Sequence, residues 1–343
     1  MPTMPAPLVS IVAPCHNEGE GLHEFHQRAA AAARAVAGDN YEIVLVDDGS
    51  RDNTWEVIAG LAMADAHVRG VRLMRNYGHQ PAATAGLSMA RGERVMLIDS
   101  DLQDPPELLG AMMQQIDAGA DVVYGQRIAR QGETWLKRTT AAGFYRVLQR
   151  MAATPIPRDT GDFRLMRRSI VDGLAAMPER QRFIRGMVSW IGGRQVALPY
   201  ERHPRFAGVT SYPYLKLIRL ALDGITSFST VPLRMASYLG LLATLLALAL
   251  LVYSLVGWAI GTTVLGWTSV ITAITLFGAV QLLVLGVMGE YLGQVYQEMK
   301  GRPIYIVDRV IAERAEHRLP AEFTQLSPSA RRDVVDAMAQ TGT

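Results

Sequence analysis

Residues 94–106 read RVMLIDSDLQDPP, an apolar run followed by a cluster of acids and a pair of prolines. The run Arg94–Ile98 predicts a buried β-strand that delivers Asp99 at its C-terminal end. Pro105 and Pro106 predict the start of a helix, because proline is favoured in the first helical turn. We interpret Asp104, just before them, as the N-cap of that helix. The stretch therefore predicts a strand, an acidic loop and a helix in succession.

Similar units stand on both sides of this stretch. Further strands are predicted at Leu8–Ala13, Tyr41–Val46, Val71–Met74 and Asp121–Tyr124. Helical patterns end near Ala37 and cover Asn53–Ala64 and Gln80–Ala90. Strands that alternate with helices and read as continuous apolar runs predict an α/β fold. Its mostly parallel sheet is expected to carry helices on both faces.

Polar residues follow four of the predicted strands, at Pro14–Glu18, Asp47–Ser50, Asp99–Gln103 and Gly125–Arg127. The carboxyl ends of parallel strands meet at one edge of a sheet, and ligands of such sheets bind there. The sequence therefore predicts a single binding site built from these four loops.

The two acids of Asp99-Ser100-Asp101 are candidate metal ligands. A strand that continued through Asp101 would direct both carboxylates to one face. Mg²⁺ and Mn²⁺ favour oxygen ligands, commonly one or two carboxylates together with substrate phosphates. Gln103 could add a carbonyl oxygen, whereas the chain offers no Cys and His spacing suited to zinc. We therefore predict a Mg²⁺ or Mn²⁺ site at Asp99, Asp101 and Gln103.

Asp47 and Asp48 allow two interpretations. Asp-Gly is a common turn pair, and Ser50 with Asp52 could cap the following helix. Alternatively, Asp48 could bind the nucleoside half of a donor through ribose hydroxyls or a base edge.

Residues 235–289 form a run of 55 residues without Asp, Glu, Lys, Arg or His. About 20 apolar residues cross a bilayer, so the run predicts two spans, Ala236–Ile260 and Val264–Gly289, joined at residues 261–263. Basic residues flank both ends of the run, which predicts that both ends face the cytoplasm. These residues are Lys216, Arg219, Arg234, Lys300, Arg302 and Arg309. A net charge of +2 argues against nucleic acid as a partner, and the single cysteine fits a reducing compartment.

Two further segments are amphipathic and basic, at Glu133–Ala153 and Tyr212–Ser229. The first could be a surface helix or lie at the membrane interface, and for the second the interfacial interpretation is favoured. We predict four regions: residues 1–210 as a cytoplasmic domain, 211–234 as a juxtamembrane segment, 235–289 as a membrane hairpin and 290–343 as a cytoplasmic tail. The tail is polar from about Arg318 and is expected to be a loose helix or disordered.

Six motifs in a fixed order resemble family 2 glycosyltransferases of the polyisoprenyl-phosphate type. That group includes dolichol-phosphate mannose synthase and bacterial undecaprenyl-phosphate glycosyltransferases. The resemblance covers roughly residues 8–310 and includes the two-span C-terminus. The motifs are PCHNE at 14–18, VDDGS at 46–50, RNYG at 75–78, DSDLQDPPE at 99–107, GQR at 125–127 and GDFRL at 161–165.

The resemblance implies a GT-A fold and a role for each matching residue. Asp99, Ser100, Asp101 and Gln103 would hold the metal and the diphosphate, with Arg127 and Arg205 facing phosphates. Asp162 would be the acidic catalytic residue, aided by Asp101 and Arg127. A helix cap or an ion pair with Arg164 or Arg167 remains an alternative role for Asp162. The nucleoside would be held by Pro14, His16, Glu18, Val46 and Asp48.

Two positions depart from the family pattern. His16 stands where the family often has Tyr, which keeps a stacking group but makes base affinity sensitive to pH. Ser211 replaces a lysine in the segment that begins at Arg205, which removes one cation expected near the phosphates. Arg202 or Lys216 could compensate for that loss.

The resemblance implies inverting transfer of a sugar from a nucleotide diphosphate to a membrane polyprenyl phosphate. UDP-glucose is preferred as donor and undecaprenyl phosphate as acceptor, with GDP-mannose as the alternative donor. A processive polysaccharide synthase is disfavoured, because Gln181, Arg185 and Trp190 do not match the Q-x-x-R-W spacing of those enzymes. A non-catalytic membrane adaptor is the remaining alternative. The expected location is the inner membrane, where a multi-pass protein would contact lipid. Homo-oligomerisation is compatible with the resemblance.

Overall fold

The computed structural model describes residues 6–128, 160–180, 182–202, 231–260 and 266–341. The chain divides into two compact units. The first contains residues 1–140, 154–211 and 302–343, and the second contains residues 141–153 and 212–301.

Nine strands of the described residues form one sheet in the first unit. Their order across the sheet is β7-β5-β6-β4-β1-β2-β3-β8-β9. Strands β4, β1, β2 and β3 are parallel neighbours, whereas β6 runs antiparallel to β4 and β5. The strands are β1 Val9–Cys15, β2 Tyr41–Asp47, β3 Val68–Leu73, β4 Arg94–Leu97, β5 Val122–Arg127, β6 Thr160–Arg167, β7 Gln195–Tyr200, β8 Val307–Ala312 and β9 Ala315–Arg318.

Nine α-helices are described, seven of them in the first unit. They are α1 Leu22–Ala37, α2 Thr54–Ala64, α3 His79–Met89, α4 Leu109–Asp117, α5 Arg168–Ala176, α6 Ile184–Ile191, α7 Val231–Ala259, α8 Trp267–Met299 and α9 Pro328–Thr341. Short 3-10 helices stand at Pro106–Leu108 and Ala321–Gln325.

Side chains that alternate along the central strands separate two cores. Ile11 and Ile43 belong to one core with α1, α2 and α4, and Val12 and Val44 belong to the other with α3, α5, α6 and α9. This follows from the two-residue period of a strand, which sends neighbouring side chains to opposite faces. All seven residues of β1 and of β2 are buried, as in a sheet covered on both faces. The predicted α/β sheet with helices on both faces is therefore confirmed.

The prediction of residues 290–343 as a tail is wrong from Val307 onward. Strand β8 pairs with β3 and β9 pairs with β8, so the end of the chain extends the sheet. Helix α9 packs on α3, and its Val335 is buried in the second core. Three of the four residues Val307, Val310, Ile311 and Ala312 pack in the core of α3, and Ile311 packs in the core of α1. Burial of these apolar side chains favours the packing of β8 into the sheet.

The second unit contains the two long apolar helices. Leu233–Gly257 in α7 and Thr272–Met299 in α8 are long and apolar enough to cross a bilayer. Large apolar side chains along both helices are exposed, as expected of surfaces that face lipid. Helix α8 continues ten residues beyond the predicted end at Gly289, because good helix formers follow and the next glycine with positive φ is Gly301.

Candidate active site

The sheet brings the predicted site residues to one edge. Asp48 follows the end of β2, Asp99 follows the end of β4, and Arg127 ends β5. Asp162 lies near the beginning of β6, which runs antiparallel to β4 so that Leu97 pairs with Arg164. The beginning of β6 therefore lies at the same edge as the C-terminal ends of its antiparallel neighbours, β4 and β5.

Asp48 holds a loop of the backbone. Its carboxylate accepts hydrogen bonds from the N–H groups of Tyr77 and Gly78, at 2.7 and 2.8 Å. Burial raises its pKa although these two bonds act against the rise. The ring of His16 lies beside it, with Nδ1 3.0 Å from the carbonyl oxygen of Asp48 and Nε2 3.0 Å from Nδ2 of Asn76. Residues 16, 48 and 76 thus form one polar cluster, next to buried Pro14 and Val46 and half-buried Glu18.

The turn interpretation applies to the neighbouring Asp47. Its Oδ1 accepts a hydrogen bond from the N–H of Ser50 at 3.0 Å, which closes the turn after β2. Asp52 Oδ1 accepts from the N–H of Thr54 at 3.1 Å, at the start of α2. Gly49 adopts φ 59, and an added Cβ would lie 2.4 Å from the backbone of Arg75, so only glycine fits this turn.

The two candidate metal ligands lie in a tight turn and not on a continued strand. Strand β4 ends at Leu97, so side-chain alternation does not align Asp99 with Asp101. Asp101 Oδ1 accepts a hydrogen bond from the N–H of Gln103 at 3.2 Å. Leu102 between them adopts φ 58 and is 4% exposed, an unusual backbone for leucine. Such outliers persist where the surroundings hold them, often at binding sites.

Asp104 is not the N-cap that the sequence predicts. It is fully buried, and no side chain caps the helix that follows it. Its carboxylate instead accepts a hydrogen bond from the hydroxyl of Tyr200. Arg127 and Arg202 lie 3.6 and 3.7 Å from its oxygens, and their positive charges compensate the buried negative charge of the carboxylate. Asp104 therefore anchors two arginines beside the acidic turn.

The acidic turn is suited to a divalent cation. Burial raises the pKa of the Asp99 carboxyl to about 6, and the charges of Asp162, Asp104 and Asp101 act in the same direction. A cation would relieve this concentration of negative charge. In the described part of the chain no group of three or more His, Cys, Asp or Glu could hold a metal by itself. Two carboxylates that share a cation with substrate phosphates are the common arrangement for Mg²⁺.

Asp162 is buried among cations and donors. Arg185 Nε lies 3.3 Å from its Oδ1, and His79 Nε2 lies 3.3 Å from its Oδ2. Gln80 Nε2 donates a hydrogen bond to Oδ2 at 2.6 Å. Burial acts to raise the pKa of Asp162, but His79, Arg185 and Arg164 outweigh it and hold the pKa well below its usual range. Ion pairing is thus present at Asp162, with Arg164 Nη2 3.9 Å away, whereas Arg167 lies with Asp121.

Sequence reasoning missed His79, Gln80 and Tyr200 as members of the site. His79 Nε2 lies 3.4 Å from Asp99 Oδ1, so its ring stands between that acid and Asp162. Two polar residues directly after Gly78, at the start of an otherwise apolar helix, were the available signal. Arg205, Ser211, Lys216 and the two amphipathic segments lie outside the described residues. Arg202 lies 4.0 Å from Asp101, and its role as substitute for the missing lysine stays a prediction.

The family model named Glycosyl transferase family 2 matches residues 10–174, which include every acid of this edge. Among solved structures, glucosyl-3-phosphoglycerate synthase from Mycobacterium tuberculosis in complex with Mn²⁺, UDP and glucosyl-3-phosphoglycerate is 17% identical. It has a TM-score of 0.44, over 64% of this chain and 78% of that one. A mannosyltransferase from Pyrobaculum calidifontis with GDP-Man and Mn²⁺ is 17% identical, with a TM-score of 0.43 over 84% and 87%.

Curated relatives match almost end to end. An uncharacterized glycosyltransferase of Bacillus subtilis, YkcC, is 44% identical over 88% of this chain and 93% of its own length. The prophage bactoprenol glucosyl transferase homolog of Escherichia coli K12 is 39% identical over 88% and 99%. The bactoprenol glucosyl transferase of Shigella phage SfV is 39% identical over 87% and 97%. The chain belongs to the family 2 glycosyltransferases.

Proposed function

We propose that this enzyme transfers glucose from a nucleotide diphosphate, UDP-glucose by preference, to a polyprenyl phosphate in the membrane. The identity of 38–39% with bactoprenol glucosyl transferases, over nearly the whole of each chain, carries the proposal. The acids at the sheet edge support it, because they would offer a cation site beside a second buried carboxylate.

Each side of the site has a proposed task in donor binding. Asp48 and His16, with Glu18 and the buried Pro14 and Val46, would hold the nucleoside. Asp99, Asp101 and Gln103 would hold Mg²⁺ or Mn²⁺, which would neutralise charge on the leaving nucleoside diphosphate. Ser100 is fixed by a hydrogen bond from its Oγ to the carbonyl of Pro14 at 3.1 Å, and it would face the diphosphate.

Arginines complete the charge balance. Arg127 and Arg202 are both held near Asp104, so their side chains are ordered before a phosphate arrives. Preorganised cations stabilise charge that develops in the transition state without further rearrangement. Arg205 would add a third cation, from the segment in which Ser211 replaces the family lysine.

The acceptor does not need a strong base. A phosphate monoester has a second pKa near ~6, so it is largely ionised at neutral pH and can attack directly. The lowered pKa of Asp162 makes it a poor proton acceptor. We therefore assign Asp162 the task of orienting the sugar or the acceptor during inversion at the anomeric carbon.

The apolar helices explain the choice of acceptor. A polyprenyl tail stays in the bilayer, so the reacting phosphate lies at the level of the lipid headgroups. Helices α7 and α8 would anchor the enzyme in the inner membrane with both ends in the cytoplasm, as the flanking Arg234, Lys300 and Arg302 favour.

The test uses purified full-length protein in lipid with undecaprenyl phosphate and radiolabelled donors. Label from UDP-glucose should enter the lipid fraction with Mn²⁺ or Mg²⁺ and stay in water with a chelator. Asp101→Ala should retain the fold and lose transfer. Transfer from GDP-mannose alone would make the enzyme a mannose synthase. Failure of every sugar to reach lipid would favour the adaptor alternative and contradict the proposal.

A further inference from the structure

One short segment touches both acids that flank the proposed reaction centre. The N–H groups of Tyr77 and Gly78 donate to the two oxygens of Asp48, at 2.7 and 2.8 Å. Two residues later, Gln80 Nε2 donates to Asp162 Oδ2 at 2.6 Å. Asp48 follows β2 and Asp162 lies near the start of β6. The segment Tyr77–Gln80 therefore joins the nucleoside side of the site to the side where the sugar would react.

The orientation of the Gln80 amide is fixed by its two partners. Its Oε1 accepts a hydrogen bond from the backbone N–H of Ile184 at 2.9 Å, at the first residue of α6. A backbone N–H can only donate, and an ionised carboxylate can only accept. The amide nitrogen must therefore face Asp162, and a rotated amide would lose both bonds. The backbone of Gln80 is held as well, because Thr84 Oγ1 donates to its carbonyl at 2.8 Å.

The bond to Ile184 also places the second partner of Asp162. Arg185 is the next residue, with Nε 3.3 Å from Asp162 Oδ1 and Nη1 donating to the carbonyl of Thr160 at 2.9 Å. Gln80 thus contacts one oxygen of Asp162 directly and fixes the start of the helix that carries the cation facing the other oxygen.

We propose that Gln80 is a positioning residue for the transfer reaction. It sets the direction of the Asp162 carboxylate and keeps that carboxylate in a fixed position relative to the donor bound at Asp48. The inference rests on the proposed function, because it assumes that Asp162 orients the reacting groups. The competing explanation is structural: Gln80 would only tie α3 to α6, and its loss would lower stability without changing the rate of folded enzyme.

Two substitutions separate these explanations. Gln80→Glu keeps an acceptor for Ile184 but turns a second carboxylate toward Asp162. Gln80→Met removes both hydrogen bonds with a side chain of similar length. We expect kcat of both variants to fall at least about tenfold, since small misplacement of a reacting group costs this much or more. The donor KM and the affinity for UDP with Mn²⁺ should stay within about twofold. Gln114→Met, at an exposed position of α4, is the matched control and should keep the wild-type kcat.

The assay uses full-length protein in lipid, with active sites counted by UDP binding so that misfolded protein does not enter kcat. Wild-type kcat per active site in both Gln80 variants would overturn the inference. The inference would also be overturned if the variants lost activity only because fewer molecules were folded. In that case kcat per UDP-binding site would equal the wild-type value while the melting temperature was lowered. A wild-type enzyme that transfers no sugar at all would instead overturn the proposed function, and the inference with it.

Discussion

Buried carboxylates stand at both ends of the parallel strands, and their surroundings differ. Glu42 lies at the start of β2, and Asp162 lies at the opposite edge, where the parallel strands end. Both are nearly inaccessible, at 2% and 6% exposure, and both face arginines. The two sites therefore share their composition but not their bonding.

Glu42 has partners for both oxygens. Ser10 Oγ and the backbone N–H of Arg91 donate to Oε1, each at 2.6 Å, and Arg91 Nε donates to Oε2 at 3.0 Å. Arg69 lies 3.5 Å from Oε2 and also binds Asp336 of α9 at 2.6 Å. The network thus fastens three strands and the C-terminal helix together.

The opposite edge is incompletely bonded. Asp162 Oδ1 and Asp104 Oδ2 are buried, and neither has a hydrogen-bond partner among the described residues. Arg185 and Arg127 lie 3.3 and 3.6 Å from these oxygens without donating a hydrogen bond. A buried acceptor without a hydrogen bond is costly, which is consistent with use by a ligand or a reaction. Complete hydrogen bonding of the carboxylate therefore separates the Glu42 cluster from the Asp162 cluster, although their residue types do not.

The largest effect is expected for Asp162→Asn, which removes the charge and keeps the shape. Transfer should fall on the order of a thousandfold, as for loss of a preorganised group at a reaction centre. The free energy of unfolding should fall only modestly, because Arg164 keeps its hydrogen bonds to the carbonyls of Gly161 and Asp162. The measurement is kcat per UDP-binding site beside urea unfolding. A rate within tenfold of wild type would remove Asp162 from the mechanism.

Glu42→Gln should show the reverse pattern. The free energy of unfolding should fall by about 3 kcal/mol, because Arg69 and Arg91 lose a buried counter-charge. Turnover per UDP-binding site should remain close to that of the wild type. Urea unfolding followed by tryptophan fluorescence gives the first quantity. An active-site defect in this variant, with stability intact, would break the distinction between the two ends.

Gly161→Ala tests whether Arg127 needs its present position. The added methyl would lie 2.6 Å from Arg127 Nη2, so the flexible guanidinium must move. We expect kcat/KM for the donor to fall about tenfold with stability almost unchanged, since a mobile side-chain end gives way easily. Gly173→Ala is the control, where the methyl meets Ile191 at 3.6 Å. Equal donor kinetics in both variants would show that Arg127 does not face the donor.

The smallest effect concerns pH. Because burial raises the pKa of Asp99 to about 6, this acid takes up a proton below that pH and Mn²⁺ must displace it. Affinity for Mn²⁺ should weaken by up to about tenfold per pH unit below 6, as measured by electron paramagnetic resonance of free Mn²⁺. Asp99→Asn should bind more weakly and without this slope. A wild-type affinity that stays constant from pH 5 to 7 would contradict the assignment.

The same shift gives the two ends opposite effects on stability. A raised pKa means that ionisation of Asp99 destabilises the metal-free fold as pH rises from about 4 to about 6. The pKa of Glu42 is lowered, since Arg69 and Arg91 outweigh the cost of burial. Its contribution is therefore present above the ordinary glutamate pKa and is lost in acid.

Local pattern predicted β1 to β5 and the helices beside them, but not β6 to β9. β1, β2 and β4 are continuous apolar runs, and their neighbours along the chain are helices. β6 and β8 escaped prediction because charged residues such as Arg164 and Arg309 interrupt their apolar runs without a sustained two-residue alternation. Their identity as strands depends on antiparallel partners far along the chain, which no local period encodes.

The acids of the site were predicted, whereas the groups that hold them were not. Asp99 and Asp101 stand two residues apart in sequence and follow a recognisable strand. Gln80, Arg185 and Tyr200 reach the same edge from elements as much as 120 residues apart, and only the fold brings them together. Asp104 was misassigned because a cap is a local interaction, while its actual partner, Tyr200, is distant.

The pairing of β3 with β8 also sets an order of events during synthesis. Gly70 is made about 240 residues before its partner Ile311. At a synthesis rate of ~5–20 residues per second, the edge of β3 that pairs with β8 stays unpaired for on the order of 12 to 50 seconds. During that time both apolar helices leave the ribosome, and β3 presents unpaired N–H and C=O groups to any passing strand. Nascent chains that stall before residue 312 should therefore aggregate or recruit chaperones, even when their first two hundred residues have already folded.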